Sequence, residues 1–309
     1  MLDRFDKLIN KEVRIETTNF CNADCTICSH STMKRKKGLM HNDAFRNLVE
    51  QAKDLGAKLI SPFGYGEPLL DNALSQKIQM CTDLGIDTFI TTNGALATPP
   101  KMIKLFDAGL GHVRFSIHGI NQMFYESVHR GLLWGKTTTN LFNTIELKKD
   151  FPDIKISITA MPLNGETVKQ IRDTWEPCVD WLEIWKPHNW NNKNKYREET
   201  EDKLVTCGRP LRGPVQIEWD GSVIPCCFLT NNELVLGNTR DNSIVDILKG
   251  DAYVELRERH RAGDLKGLPC EHCDQLFNDD PPLLYSNRNE HYCRKGTTSS
   301  LKYNLLEGE

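Results

Sequence analysis

The sequence contains no run of about 18 apolar residues, so nothing in it reads as a membrane-spanning helix. Its first residues, MLDRFDKLINKEVRIE, hold no apolar core of a secretory signal, and export is not expected. Neither sign of charge prevails: 39 Lys+Arg face 42 Asp+Glu, a net charge of -3. That balance does not point to a strongly basic surface for nucleic acid and leaves room only for a local patch. Internal repeats and low-complexity tracts are absent too. At 39% hydrophobic and 26% charged residues, the composition is that of a globular chain rather than a disordered one. A chain of this length can hold one large domain and a small one. A cytoplasmic location is the corresponding expectation.

What the sequence has in excess is cysteine, 11 residues in 309. The count is odd and the residues cluster: Cys21, Cys25 and Cys28, then Cys207, Cys226 and Cys227, then Cys270 and Cys273. Cys81, Cys178 and Cys293 stand apart. Without an export signal a disulfide framework is not expected, and clustered thiols then point to metal binding or chemistry.

Six short segments rich in β-branched or aromatic residues read as strands: 12–18, 58–63, 87–92, 112–117, 155–160 and 181–185. Between them lie helical patterns. Phe45, Leu48, Val49, Ala52 and Leu55 form one face, and Leu74, Ile78, Cys81 and Leu84 another, which makes Cys81 a core residue. Further helices are expected over 99–108, where Pro99 and Pro100 are tolerated at the start, and over 138–148 and 166–175. The alternation predicts a parallel α/β sheet, as a partial barrel or as an open doubly wound sheet. Either places the active site at the carboxyl ends of the strands. After residue 190 the pattern changes. Residues 191–204 read as a polar linker and 205–280 as a small domain with a hairpin at Asp220-Gly221. Residues 281–309 read as a tail packed on the surface.

Cys21-x3-Cys25-x2-Cys28 follows directly on the first strand. Three thiolates on one tight loop suit either a zinc site completed by His30 or His41, or a [4Fe–4S] cluster with one open iron; the spacing favours the cluster. The next strands end in Gly64-Tyr65-Gly66-Glu67-Pro68, in Thr92-Asn93-Gly94 and in Ser116-Ile117-His118-Gly119, all beside that loop. Glycine lets backbone approach a ligand closely. Glu67 can accept from an amine, and Asn93 and Ser116 can bond hydroxyls or a carboxylate. In the second group Cys207, Cys226, Cys270 and Cys273 make a four-thiolate set whose spacing fits a zinc ribbon as well as a cluster.

Taken in strand order, these motifs resemble the radical S-adenosylmethionine (radical SAM) superfamily over about residues 11–190. The resemblance implies a partial (β/α)6 TIM-like barrel over residues 1–190. Cys21, Cys25 and Cys28 would hold the cluster, and Gly64, Tyr65, Gly66, Glu67, Pro68, Asn93 and Ser116 would contact S-adenosylmethionine. One departure is Ile27, where the family usually carries an aromatic ring near the adenine. The resemblance also implies reductive cleavage of S-adenosylmethionine to a 5′-deoxyadenosyl radical that takes a hydrogen atom from substrate, with a flavodoxin- or ferredoxin-like reductase as electron donor.

Residues 205–277 resemble the auxiliary-cluster domain of such enzymes, named SPASM in its full form. The further cysteines that the full form carries after Cys273 are missing, so the segment looks like the truncated Twitch form. That implies a hairpin-plus-helix domain with a second [4Fe–4S] cluster on Cys207, Cys226, Cys270 and Cys273, suited to oxidising a substrate radical. Cys227 would be packing, on the opposite strand face from Cys226, and Cys178 and Cys293 stay unassigned.

Among candidate substrate contacts, Arg130 reads as a carboxylate clamp, and Lys186 and His188 as groups that bind an anion or take a proton. Glu183, Trp185, His118 and His129 are similarly placed. The run Lys34-Arg35-Lys36-Lys37 reads as solvated loop charge, or as a patch drawing in an acidic partner. Three functions are expected in this order: a dehydrogenase acting on a sugar- or aminocyclitol-like molecule, a maturase acting on a peptide, and a zinc-binding scaffold. Only about 12 residues precede the first strand, which leaves no leader-peptide module and favours the first.

Overall fold

A computed structural model describes residues 7–278 and 282–288. Six parallel strands come first: β1 (Glu12–Ile15), β2 (Leu59–Ser61), β3 (Asp87–Thr92), β4 (His112–Ser116), β5 (Lys155–Ala160) and β6 (Trp181–Trp185). Each lies beside the next, with Glu12 opposite Leu59, Phe89 opposite His112 and Phe115 opposite Ile158. The order never reverses. A doubly wound sheet would fold back at a switch point, so the singly wound partial barrel is the architecture. β3, β5 and β6 occupy their expected spans. β1, β2 and β4 stop short of theirs because their last residues turn into the motif loops.

The strands alternate. One face carries Val13, Ile15, Ile60, Ile90, Val113, Phe115, Ile156, Ile158, Leu182 and Ile184, all buried, and packs on the helices. The other face carries charge: Glu12 Oε1 accepts from Arg14 Nε at 2.8 Å and from Ser61 Oγ at 2.7 Å. Arg114 of β4 reaches Glu183 of β6 at 3.1 Å. A parallel strand buried against apolar layers on both sides reads as a continuous hydrophobic run. The alternation in EVRIE, HVRFS and WLEIW marks a polar barrel interior instead.

The helices are α1 (Asn42–Asp54), α2 (Leu74–Asp83), α3 (Pro99–Asp107), α4 (Gln122–Val128), α5 (Trp134–Glu146) and α6 (Val168–Trp175). α1 buries Phe45, Leu48, Val49 and Ala52, as its periodicity requires. α4 escaped the pattern reading because it is too short to show a period. Its signal is the Asn121 side chain, which caps the Phe124 N–H at 2.9 Å. α5 starts at Trp134, ahead of the expected 138, with no side-chain cap to mark it. α6 starts behind a Thr167–Gln170 capping box.

Residues 191–204 form neither helix nor strand. Then come α7 (Arg209–Arg212), β7 (Val215–Ile217), β8 (Ser222–Ile224), β9 (Gly237–Asn238), α8 (Ile244–Lys249) and α9 (Asp251–Ala262). β7 and β8 form the expected hairpin, with Gly221 at φ 86° where a side chain would be strained. β7 also pairs in parallel with β1, so the barrel sheet runs on into the second segment. The stretch read as a tail contains β10 (Leu283–Ser286), antiparallel to β6. Its four residues behind two prolines gave no alternation to read. Residues 289–309, with Cys293, lie outside the described residues. Among the described residues no helix is long and apolar enough to cross a membrane.

Candidate active site

The loop after β1 is held by backbone on both flanks. Asp24 N–H donates to the Arg130 carbonyl and Thr26 N–H to the Val128 carbonyl, each at 2.9 Å, and Cys28 N–H closes a turn on the Cys25 carbonyl at 3.1 Å. Cys21, Cys25 and Cys28 are half-buried and Ile27 is buried. Burial pushes the Cys28 thiol up to about 11. Burial and the neighbouring thiols raise Cys25 further. Three thiols this close in a dry loop resist ionising alone, and cationic irons would remove that penalty, so the donor set fits a cluster. Of the two expected zinc partners, His30 donates through Nε2 to the Asn19 carbonyl at 2.9 Å, and His41 stands exposed at the start of α1 with no side-chain cap bond. Among the described residues no three His, Cys, Asp or Glu converge on a point that would hold a single metal ion.

The GYGEP segment lies on that loop. A Cβ on Gly66 would come 2.3 Å from the Thr18 carbonyl oxygen, and one on Gly64 2.6 Å from Glu16 Oε1. These glycines admit the chain's own backbone and the Glu16 side chain. Glu67 is buried and accepts from Thr92 Oγ1 at 2.7 Å, from the Asn93 N–H at 2.8 Å and from the Leu69 N–H at 3.0 Å. It locks GYGEP to the TNG turn and keeps one acceptor position of about four for anything else. Pro68 opens the short 3-10 turn that Glu67 caps. Asn93 donates to Asn22 Oδ1 at 2.9 Å, which ties the TNG turn to the cysteine loop. Ser116 is half-buried at the carboxyl end of β4. Tyr65 points the other way: its hydroxyl donates to the Cys227 carbonyl.

Cys207, Cys226, Cys270 and Cys273 line one cavity, closed off by Arg209 and Phe228. Burial pushes the Cys270 and Cys273 thiols up to about 12. The Arg209 guanidinium lies over the Phe228 ring, 4.8 Å from its centre, and places a fixed positive charge beside the sulfurs. These four thiols with an adjacent cation fit a cluster that carries net negative charge. Cys227 does not line that cavity. The face argument fails for it because β8 ends at Ile224, before either cysteine. Its Sγ accepts from Arg209 Nη1 at 3.5 Å.

A second cavity is lined by Arg14, Glu16, Tyr65, Gln216, Glu218 and Cys227. Arg35 sets its charge. The sequence read it as one of four solvated loop charges, yet its side chain is only 6% exposed. It pairs with Glu16 and Glu218, each at 3.1 Å. A charge run carries no local sign of which member turns inward. Arg35 Nε also donates to the Thr230 carbonyl at 2.9 Å, and Ser29 and Thr230 share a hydroxyl hydrogen bond of 2.6 Å, so the first loop is bolted to the second segment. Neither Glu218 oxygen has a well-aligned donor, and burial pushes its carboxyl up to about 8 against the pull of Arg35.

The remaining candidates scatter. The Arg130 side chain is exposed, although its carbonyl anchors the cysteine loop. Lys186 N–H donates to the Pro282 carbonyl at 2.7 Å. His188 packs near Phe228, with Nδ1 3.5 Å from Gln275 Nε2, on the side of the second cysteine group. Glu183 lies deep in the barrel between Arg114 and Arg288. Cys81 is in the core as expected, and Cys178 packs 3.8 Å from the Thr174 carbonyl. A wider groove of about 680 Å³ sits at the other end of the barrel, beside the strand starts Asp87, Lys155 and Trp181.

Residues 15–176 match the model of the radical SAM superfamily and residues 207–274 that of the SPASM iron–sulfur cluster-binding domain. The chain belongs to the radical SAM superfamily and carries a SPASM domain. Its cofactors are [4Fe–4S] clusters and S-adenosylmethionine. Among curated proteins it is 25% identical over 281 residues to a probable GTP 3′,8-cyclase of Methanothermobacter marburgensis, covering 83% of this chain and 90% of that one. A GTP 3′,8-cyclase of Aliarcobacter butzleri matches at 29% over 185 residues, 58% of this chain and about half (54%) of that one. Among solved structures, BtrN in complex with AdoMet and 2-DOIA superposes with a TM-score of 0.63 at 20% identity, over 89% of this chain and 95% of that one. Streptococcus suis SuiB bound to precursor peptide SuiA gives 0.67 at 16%, over 88% and 71%. The two likenesses bear on the fold.

Proposed function

We propose that this chain is a radical SAM oxidoreductase that dehydrogenates a small polar molecule, such as a sugar or aminocyclitol. In this reading Cys21, Cys25 and Cys28 hold one [4Fe–4S] cluster, and Cys207, Cys226, Cys270 and Cys273 hold the other. Gly64, Gly66, Pro68, Asn93 and Ser116 line the place of S-adenosylmethionine. When bound, these groups supply a 5′-deoxyadenosyl radical on one side of the substrate and an electron acceptor on the other. The observation that carries the reading is the charged cavity that Tyr65 of the GYGEP segment shares with Cys227, the neighbour of Cys226 in sequence. An alcohol carbon held there would lose a hydrogen atom, a proton and an electron and become a carbonyl, the bound cofactors taking the hydrogen atom and the electron.

Glu218 takes the proton when ionised: it lines the cavity, and with its carboxyl raised to about 8 turnover is expected to rise as pH approaches that value. Lys186, His188 and Arg130 do not line that cavity, and the reading gives them no step. Arg14, Glu16 and Gln216 orient hydroxyl and amine groups. The protein works in the cytoplasm and draws electrons from a flavodoxin- or ferredoxin-like reductase.

The likeness to SuiB in complex with a peptide supports a second reading, a maturase that modifies a peptide. Deuterated polyols and deuterated peptides, offered side by side to the reconstituted enzyme, separate the two. Label is expected in 5′-deoxyadenosine from a polyol, and label from peptides alone would overturn the dehydrogenase reading.

A further inference from the structure

Beyond β4, the end of α4 lays residues 128–130 along the cysteine loop through the two backbone hydrogen bonds from Asp24 and Thr26. The middle residue is His129, 2% exposed. Its ring is stacked between His118, at 5.0 Å and 8°, and Tyr125, at 4.3 Å and 22°. Two contacts exhaust its nitrogens. The His118 backbone N–H donates to Nε2 at 3.0 Å. Nδ1 lies 3.5 Å from Cys25 Sγ.

The first contact decides the second. A backbone amide can only donate, so Nε2 must be the bare nitrogen, and the imidazole proton sits on Nδ1. Nδ1–H therefore points at the Cys25 sulfur as a donor, held there by stacking on both faces. We propose that His129 tunes the first cluster by an N–H···S hydrogen bond to Cys25, raising the cluster's reduction potential. The proposal rests on the reading that Cys25 is a cluster ligand. Its physics is simple: negative charge on the sulfur grows when the cluster takes an electron, and a fixed donor dipole favours the more negative state. His129 is a positioning residue in this account and takes no part in proton transfer to substrate.

The test is a redox titration of the reconstituted holoenzyme followed by electron paramagnetic resonance. The step that responds to added S-adenosylmethionine belongs to the first cluster, and the other step is an internal reference. His129→Gln keeps an acceptor near the position of Nε2 but places no donor at Nδ1. His129→Asn does the reverse. His129→Phe keeps the stack and removes both. Gln and Phe should move the first step to more negative potential, by about a tenfold change in the reduced-to-oxidised ratio at fixed poise, which is 59 mV for one electron. Asn should stay near the parent, and the reference step should not move in any variant.

Equal first-step potentials in the parent and in Gln would overturn the proposal, as would a shift that Asn shares with Gln. If Phe fails to take up iron, the Asn and Gln pair decides alone. A parent protein that binds no iron through Cys25 would sink the ligand reading instead, so the two failures are distinct.

Discussion

Cys21, Cys25 and Cys28 sit on one loop directly behind β1, whereas Cys207, Cys226, Cys270 and Cys273 come from three stretches brought together by α7, the β7–β8 hairpin and a CxxC turn. The first group needs little chain to be closed into place. The second needs a folded domain before its thiols meet, because closing long loops costs entropy that the binding of a cluster must offset. As proposed ligands of one cluster, the three sulfurs of the first group would leave a coordination place open. The second offers four and, with all four ligating, leaves none. In the proposed function the contrast separates a site that receives a small molecule from one suited to moving an electron.

Two alanine variants break the comparison most sharply. The parent should bind about eight irons and Cys25→Ala about four, if each group holds one cubane. Cys25→Ala should also abolish cleavage of S-adenosylmethionine, and cleavage at the parent rate would end the assignment of the first loop. Cys270→Ala should lose about the same four irons yet still cleave the cosubstrate, with product formation gone. Full turnover in that variant would make the second group structural.

A smaller effect probes the bolt between the two regions. Arg35→Ala leaves Glu16 and Glu218 facing each other without their shared cation. Removing one partner of a buried ion pair costs about 3–5 kcal/mol. Thermal unfolding should show that loss, and a variant within about 0.5 kcal/mol of the parent would mean that Arg35 is solvated after all.

The smallest effect is one of pH. The Glu218 carboxyl is ordinarily near 4.5 and is raised to about 8 in the fold. A raised value means that the folded state prefers the protonated form. The stability it contributes is complete below about 4.5 and is lost as pH rises towards 8. Glu218→Gln resembles the protonated form, so its unfolding free energy should gain on the parent's between pH 5 and pH 8, by up to about 1.4 kcal/mol per pH unit. A gap that stays constant with pH would remove the raised carboxyl from the cavity. The dehydrogenase reading expects the same variant to lose turnover.

Much of this was readable in advance because the signals are local. The three-cysteine loop, GYGEP and TNG each follow a strand end, which β winding brings to one rim. What stayed hidden was the occupation of those groups. Glu67 looked free for an amine and is spent mostly on Thr92, Asn93 and Leu69; Arg35 looked solvated and is buried.

The order of residues alone settled the periodicities, the thiol spacing and the glycines that a tight approach demands. Only the folded chain decided between barrel and open sheet, sent Tyr65 towards Cys227, and set His129 against Cys25 across 104 positions. The physical reason is range: period and turn chemistry act over a few residues, whereas hydrogen bonds and charge pairing depend on distances that packing creates.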